Sequence, residues 1–119
     1  MNADSERGRA GGGKRKLVVL ADEDLRRSFE KLEADNRILH KSLLRAIEAL
    51  RQDPFCGVQI RKRLIPKAYV AKHGADNLRK YDLSNGWRLV YFIKGNQAET
   101  AAVILEWLPH KKYERRFGY

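Results

Sequence analysis

A chain of 119 residues with 43% hydrophobic side chains suffices for one domain around a modest core. No apolar run approaches the roughly 20 residues that span a bilayer, the N-terminus lacks the apolar core of a signal peptide, and Cys56 alone excludes an internal disulfide, so a cytoplasmic protein with no membrane partner is expected. The formal net charge of +10 suits nucleic acid or an acidic protein segment, against the plainer alternative of a generally basic soluble protein.

The first sixteen residues are Gly-rich and charged, with no large apolar side chain beyond Met1. They read as a disordered basic arm, 1–16, ahead of a domain spanning 17–119. Leu17-Val18-Val19-Leu20 is a short β-prone run that predicts a first strand. Asp22 has the character of an N-cap, with Glu23 and Asp24 placed to complement the helix dipole. Leu25, Phe29 and Leu32 then recur at helical spacing. Asp35 or Asn36 breaks and recaps the chain, and Leu39, Leu43, Ala46, Ile47 and Leu50 mark one face of a second helix. Asp53-Pro54 ends it, because a residue before proline avoids the helical region. The two segments form an αα-hairpin whose apolar stripes need a partner surface. Between 55 and 76 the pattern is weaker: Ile60 and Leu64 are apolar anchors among Arg61, Lys62 and Arg63, and Pro66 opens a short helix that Gly74 closes.

Three strands are predicted near Leu78–Leu83, Trp87–Ile93 and Thr100–Leu108. Asn85-Gly86 between the first two is a strong hairpin signal. A two-residue turn would set Leu83 opposite Arg88, Tyr81 opposite Val90 and Arg79 opposite Phe92. Arg79, Tyr81 and Arg88 would then share one face, with Trp87, Leu89, Tyr91 and Ile93 on the face packed against the helices. A three-residue turn would slip the register and bring Lys80 beside Arg88 instead.

The charge is concentrated toward the C-terminus: residues 17–60 carry seven Lys/Arg against eight Asp/Glu, whereas residues 61–119 carry thirteen against five. Arg88, on a mid-sheet strand, has a fork suited to bidentate phosphate binding; the alternative is an ion pair with Asp82 or Glu106. His110 follows Pro109 at a strand end and is the natural acid or base near neutral pH. Tyr113 lies one turn on if a helix starts here, with Lys111, Lys112, Arg115 and Arg116 adding positive potential; the alternative is a solvated helix docked through Tyr113 and Phe117. His40 and His73 have no neighbours at metal-ligand spacing, so no metal is expected. Cys56 reads as a semi-buried filler rather than a nucleophile.

From Leu17 to Tyr119 the order of elements and motifs resembles the RelE/ParE superfamily of toxins from type II toxin–antitoxin modules. The most specific piece is Asn85-Gly86-Trp87-Arg88-Leu89-Val90-Tyr91. It is similar to the family's Gly-aromatic-Arg-Leu-Val-Tyr strand, whose arginine belongs to the active site, and Arg88 takes that position. Arg79 and Tyr81 fall where RelE-like members carry site lysines, Tyr81 replacing one. Leu108-Pro109-His110-Lys111-Lys112-Tyr113 resembles the family's closing segment, in which a basic triplet precedes a tyrosine, and looks closest to archaeal members. It departs in placing Arg115, Arg116 and Phe117 where the family's closing tyrosine usually stands, with tyrosines at Tyr113 and Tyr119 instead.

The resemblance implies an α+β fold: an N-terminal strand, a helical hairpin packed on a small, mainly antiparallel four-stranded sheet, and a basic C-terminal tail. It implies a metal-independent, cofactor-free endoribonuclease, an mRNA interferase acting at the ribosomal decoding site. Arg88 would stabilise charge with Arg79 and Lys111, His110 would be the acid or base, and Tyr113 would orient it or share its role. Arg79, Lys80, Tyr81, Lys111, Lys112, Arg115, Arg116 and Tyr119 would bind RNA, with Tyr81 able to stack on a base. The implied partners are mRNA, the ribosome and a small acidic antitoxin protein in a hetero-oligomer. The same superfamily contains ParE-like inhibitors of DNA gyrase that do not cut RNA, and a non-toxic RNA- or ribosome-binding module is a third reading.

Overall fold

A computed structural model of the chain describes residues 15–118. The fold is α+β: β1 (Arg15–Leu20), α1 (Glu23–Asp35), α2 (Arg37–Gln52), β2 (Val58–Gln59), α3 (Lys67–His73), β3 (Arg79–Asp82), β4 (Arg88–Gly95), β5 (Glu99–Leu108) and α4 (His110–Phe117). The strands form one mixed sheet in the order β1-β5-β4-β3-β2. β1 runs parallel to β5 and the other neighbours are antiparallel. The sheet therefore has five strands rather than the expected four. The predicted arm lies outside the described residues except Arg15 and Lys16, which already belong to β1. Among the described residues no helix is long and apolar enough to cross a membrane.

Both predicted N-caps are in place. Asp22 accepts from the Leu25 N–H at 2.8 Å and Asn36 from the Leu39 N–H at 3.2 Å, each satisfying a donor that the first helical turn leaves open. α2 buries Leu39, Ser42, Leu43, Ala46 and Leu50. These meet Leu83, Leu89, Tyr91, Ala102 and Ile104 of the sheet, with Leu25, Phe29 and Leu32 of α1 at the margin.

The opposite sheet face is covered as well. There Leu78, Val90, Leu105 and Leu108 pack with Ile60, with Tyr69 of α3 and with Tyr113 and Phe117 of α4. The basic tail is thus a helix docked on a second core rather than an appendage. Tyr69 and Phe117 stack at 5.6 Å and Tyr113 and Phe117 lie 4.8 Å apart. The Tyr69 hydroxyl donates to Glu106, and Arg116 binds both Tyr69 Oη at 2.9 Å and the Glu106 carboxylate at 3.0 Å, so α3, β5 and α4 are cross-linked.

The hairpin register corrects the two-residue turn. Asp82 is opposite Arg88, Tyr81 opposite Leu89, Lys80 opposite Val90 and Arg79 opposite Tyr91. The loop holds three residues, Ser84, Asn85 and Gly86, closed by the Leu83 N–H donating to the Trp87 carbonyl at 2.8 Å. Asn85 and Gly86 both have positive φ, which suits a tight turn of either length. The decision comes from α2: buried Ser42 accepts the Ser84 N–H at 2.9 Å, which draws Ser84 into the loop. The slip moves Arg79 and Tyr81 to the α1/α2 face and Lys80 and Asp82 to the face of Arg88.

A second irregularity aims β5. Val90 pairs with Glu106 while Tyr91 pairs with Ile104, so Leu105 is an extra, bulged residue. Before the bulge, Ala102 and Ile104 face α1/α2; after it, Glu106 and Leu108 face α3/α4. The bulge switches the strand's alternation and sets the side of the sheet on which α4 is laid.

At the other edge, residues 53–57 wrap around Tyr91. Its hydroxyl donates to the Pro54 carbonyl at 2.7 Å and accepts from the Gly57 N–H at 3.0 Å. Gly57 is obligatory there, since a Cβ would lie 2.6 Å from both Tyr91 Oη and the Lys80 carbonyl. Burial pushes the Tyr91 phenol above its ordinary value. The unfolded chain therefore releases this proton first as pH rises, and the folded state is penalised. Stability should be level with respect to this group below about pH 10 and fall above it, the unfolded value being about 10. Tyr91→Phe is expected to lose about 1–3 kcal/mol at pH 7 by leaving two backbone groups unpaired, and to show a shallower alkaline decline, measured as Tm between pH 8 and 11.

Candidate functional site

The start of β4, the end of β3 and the first turn of α4 converge on one rim of the α3/α4 face. Lys80, Arg88, His110, Tyr113 and Glu114 line an open cavity of about 210 Å³ there. Gly86 packs beside His110 Cβ, and it is its φ of +79, rather than lack of space, that favours glycine there.

Arg88 is held on every nitrogen. Nη1 donates to the Gly86 carbonyl at 2.7 Å, Nε meets Asp82 Oδ1 at 3.1 Å, and Nη2 faces His110 Nδ1 at 3.3 Å. Its side chain is only 18% exposed, which makes the fork a fixed feature of the surface. The Arg88 ion pair anticipated as an alternative is therefore present with Asp82; Glu106, the other candidate, is taken by Arg116 and Tyr69.

His110 has both ring nitrogens engaged: Nδ1 toward Arg88, Nε2 to Glu114 Oε2 at 3.0 Å. A guanidinium is always a donor, so Nδ1 must be the acceptor and the ring proton belongs on Nε2, donated to Glu114. In that tautomer the Nδ1 lone pair is held by the Arg88 Nη2–H at the cavity wall. The sequence reading missed Glu114; its place four residues after His110, one helical turn on, was the available signal.

The remaining predicted residues divide sharply. Lys80 joins the site, its Nζ 2.9 Å from the same Asp82 oxygen that Arg88 binds. Arg79 and Tyr81 do not. Arg79 donates to the Gly57 carbonyl at 2.8 Å and lies over the Phe55 ring at 5.2 Å, fastening the 53–57 loop. Tyr81 packs into the α1/α2 core. Tyr113 is buried and its ring forms a cavity wall, and Glu114 contacts His110 at Nε2. Lys111, Lys112 and Arg115 are exposed on α4, and Lys112, Arg115 and Arg116 line an adjoining open cleft. Arg116 is committed to Glu106 and Tyr69. Tyr119 lies outside the described residues.

His40 of α2 sits against Phe29 of α1 at 4.9 Å, and His73 lies beside Tyr69 at 6.5 Å, one turn away on α3. Among the described residues no three His, Cys, Asp or Glu side chains cluster as metal ligands would. Cys56 is exposed rather than semi-buried. Partial desolvation of the sulfur, reinforced by Asp53, raises its thiol pKa, which disfavours the nucleophilic thiolate.

No protein-family model, curated protein or solved structure compared with this chain matches it.

Proposed function

We propose that the chain is a RelE-like toxin: an endoribonuclease that cuts messenger RNA, engaged at the ribosomal decoding site, and held in check by a small acidic antitoxin. The observation that carries this reading is the Arg88–His110–Glu114 relay beside Lys80. It supplies a general base and fixed cations within one cavity, which is what cleavage of RNA by its own 2′-hydroxyl requires.

In the proposed reaction Arg88 Nη2 turns from His110 Nδ1 to the phosphate, and the freed Nδ1 takes the proton of a ribose 2′-hydroxyl. The 2′-oxygen bonds to the adjacent phosphorus, the bond from phosphorus to the 5′-oxygen breaks, and the products are a 2′,3′-cyclic phosphate and a 5′-hydroxyl. Glu114 steadies the imidazolium as it forms, much as a carboxylate does for histidine in hydrolytic triads. Arg88 meets the charge that develops on the phosphorane oxygens. Lys80, on the same wall, is the donor available to the leaving 5′-oxygen. The exposed Lys111, Lys112 and Arg115 give the flanking strand, or an acidic antitoxin segment, a basic surface to lie on.

Mapping RNA 5′ ends after brief induction tests this directly. New ends bearing 5′-hydroxyls, clustered within translated codons, are expected. Growth arrest with intact RNA and blocked supercoiling would point to gyrase inhibition; salt-sensitive RNA binding without arrest would point to a non-toxic binding module.

A further inference from the structure

Among the described residues, Asp82 is the carboxylate that touches both cations of the cavity wall. Its Oδ1 lies 2.9 Å from Lys80 Nζ and 3.1 Å from Arg88 Nε. Arg88 and Lys80 are largely enclosed, with 18% and 21% of their side chains exposed, whereas Asp82 is 62% exposed. The cations are thus fixed and the anion between them is the part with room to leave. Asp82 ends β3 and stands opposite Arg88, just before the hairpin loop, so turning its side chain toward water disturbs no core contact.

The geometry of the guanidinium makes this more than a surface ion pair. An arginine takes a phosphate bidentately along one edge of its fork. Nη1 of Arg88 is spent on the Gly86 carbonyl. The other edge is Nε–Nη2, where Asp82 holds the Nε end and His110 Nδ1 faces the Nη2 end. A phosphodiester bound there would put one non-bridging oxygen where Asp82 Oδ1 now sits, shared between Arg88 and Lys80, and a second against Nη2, in front of His110.

We propose that Lys80 and the Nε–Nη2 edge of Arg88 form a phosphate subsite, and that Asp82 is its built-in competitor, a carboxylate that occupies the position of a phosphate oxygen and is displaced when phosphate binds. The proposal rests on the RNA-cleaving reading for the identity of the natural ligand, but not for the displacement itself. Asp82 would keep the two cations ordered in the empty site and would discriminate against weakly bound anions, which cannot outcompete a tethered carboxylate.

The test uses the full chain with two probes, inorganic phosphate and a short single-stranded RNA, against the wild type, Asp82→Asn and Asp82→Ser. Loss of the competitor should tighten phosphate binding about 1.5- to 5-fold, the span of an exposed ion pair's worth. RNA binding should tighten likewise, with a steeper salt dependence by about one phosphate contact. In the wild type, phosphate should shift the Asp82 side-chain carboxyl carbon and the Arg88 Nε resonance along one binding curve, a readout that needs no variant to fold. Unchanged or weaker phosphate binding in both variants, or an Asp82 carboxyl that stays still while Arg88 Nε titrates, overturns the proposal. Tighter phosphate binding without any RNA binding would keep Asp82 as the competitor and remove the RNA reading.

Discussion

Arg88→Ala is expected to slow ribosome-programmed cleavage of messenger RNA by about 100- to 1,000-fold, the loss typical when one preorganised charge-stabilising donor is removed. The size follows from how the residue is held. A solvated arginine would spend part of its interaction energy on being ordered at the moment of reaction. Arg88 is already anchored at Nη1 by the Gly86 carbonyl and only 18% of its side chain is exposed, so its charge acts in the transition state with little reorganisation. Arg88→Lys keeps the charge but not the fork, and should recover only a minor part of the rate. Arg88 sits on the rim and not in either core, so the alanine variant should remain folded, with a stability loss of about 1–2 kcal/mol from its hydrogen bonds. Single-turnover cleavage measured beside thermal unfolding separates the two effects. Cleavage at the wild-type rate in a folded Arg88→Ala protein would remove Arg88 from the chemistry.

How far such a site can be read from sequence depends on the range of the contacts that set it. The helices were legible because their signals are local: Asp22 and Asn36 cap from within four residues, and the leucines of α2 repeat at the helical period. The existence of the hairpin was legible for the same reason. Its register was not, because Ser42, forty-two positions upstream of Ser84, binds the loop N–H that fixes the loop length. One residue of slip carried Arg79 and Tyr81 to the other face of the sheet and brought in Lys80. The strand β2 was invisible for a related reason. Val58-Gln59 has no strand pattern of its own, and is held by the wrap of 53–57 around Tyr91 and Arg79. The bulge at Leu105 lies in an apolar run, Ala101–Leu105, that is buried or half-buried on both faces, so alternation could not mark it, although it decides where α4 crosses. Arg88 and His110 were found because their motif is contiguous. Glu114 was passed over because a carboxylate in a run of Lys and Arg resembles simple charge balance.

That carboxylate gives the second large effect. His110→Ala should lower the cleavage rate by about 100- to 10,000-fold, the range for loss of a positioned general base. Glu114→Gln should cost less, about 10-fold, because glutamine can still accept the Nε2 proton in a hydrogen bond but cannot offset the imidazolium charge that forms when Nδ1 takes the 2′-hydroxyl proton. The loss should fall on kcat and leave KM nearly unchanged, since Glu114 faces the histidine and not the cations that would hold the substrate. The two losses should also not add. With the imidazole gone, Glu114 has nothing to steady, so the double variant should match His110→Ala within a factor of about two, the mark of residues acting as a unit. A Glu114→Gln penalty that persists in the His110→Ala background would mean that the carboxylate acts on substrate or on folding by another route. A penalty that appears in KM would place it at the RNA surface instead. The geometry favours the coupled outcome, because the Glu114 carboxylate pairs with Nε2 of His110, and the lone pair that would do the chemistry is on the opposite side of the same ring.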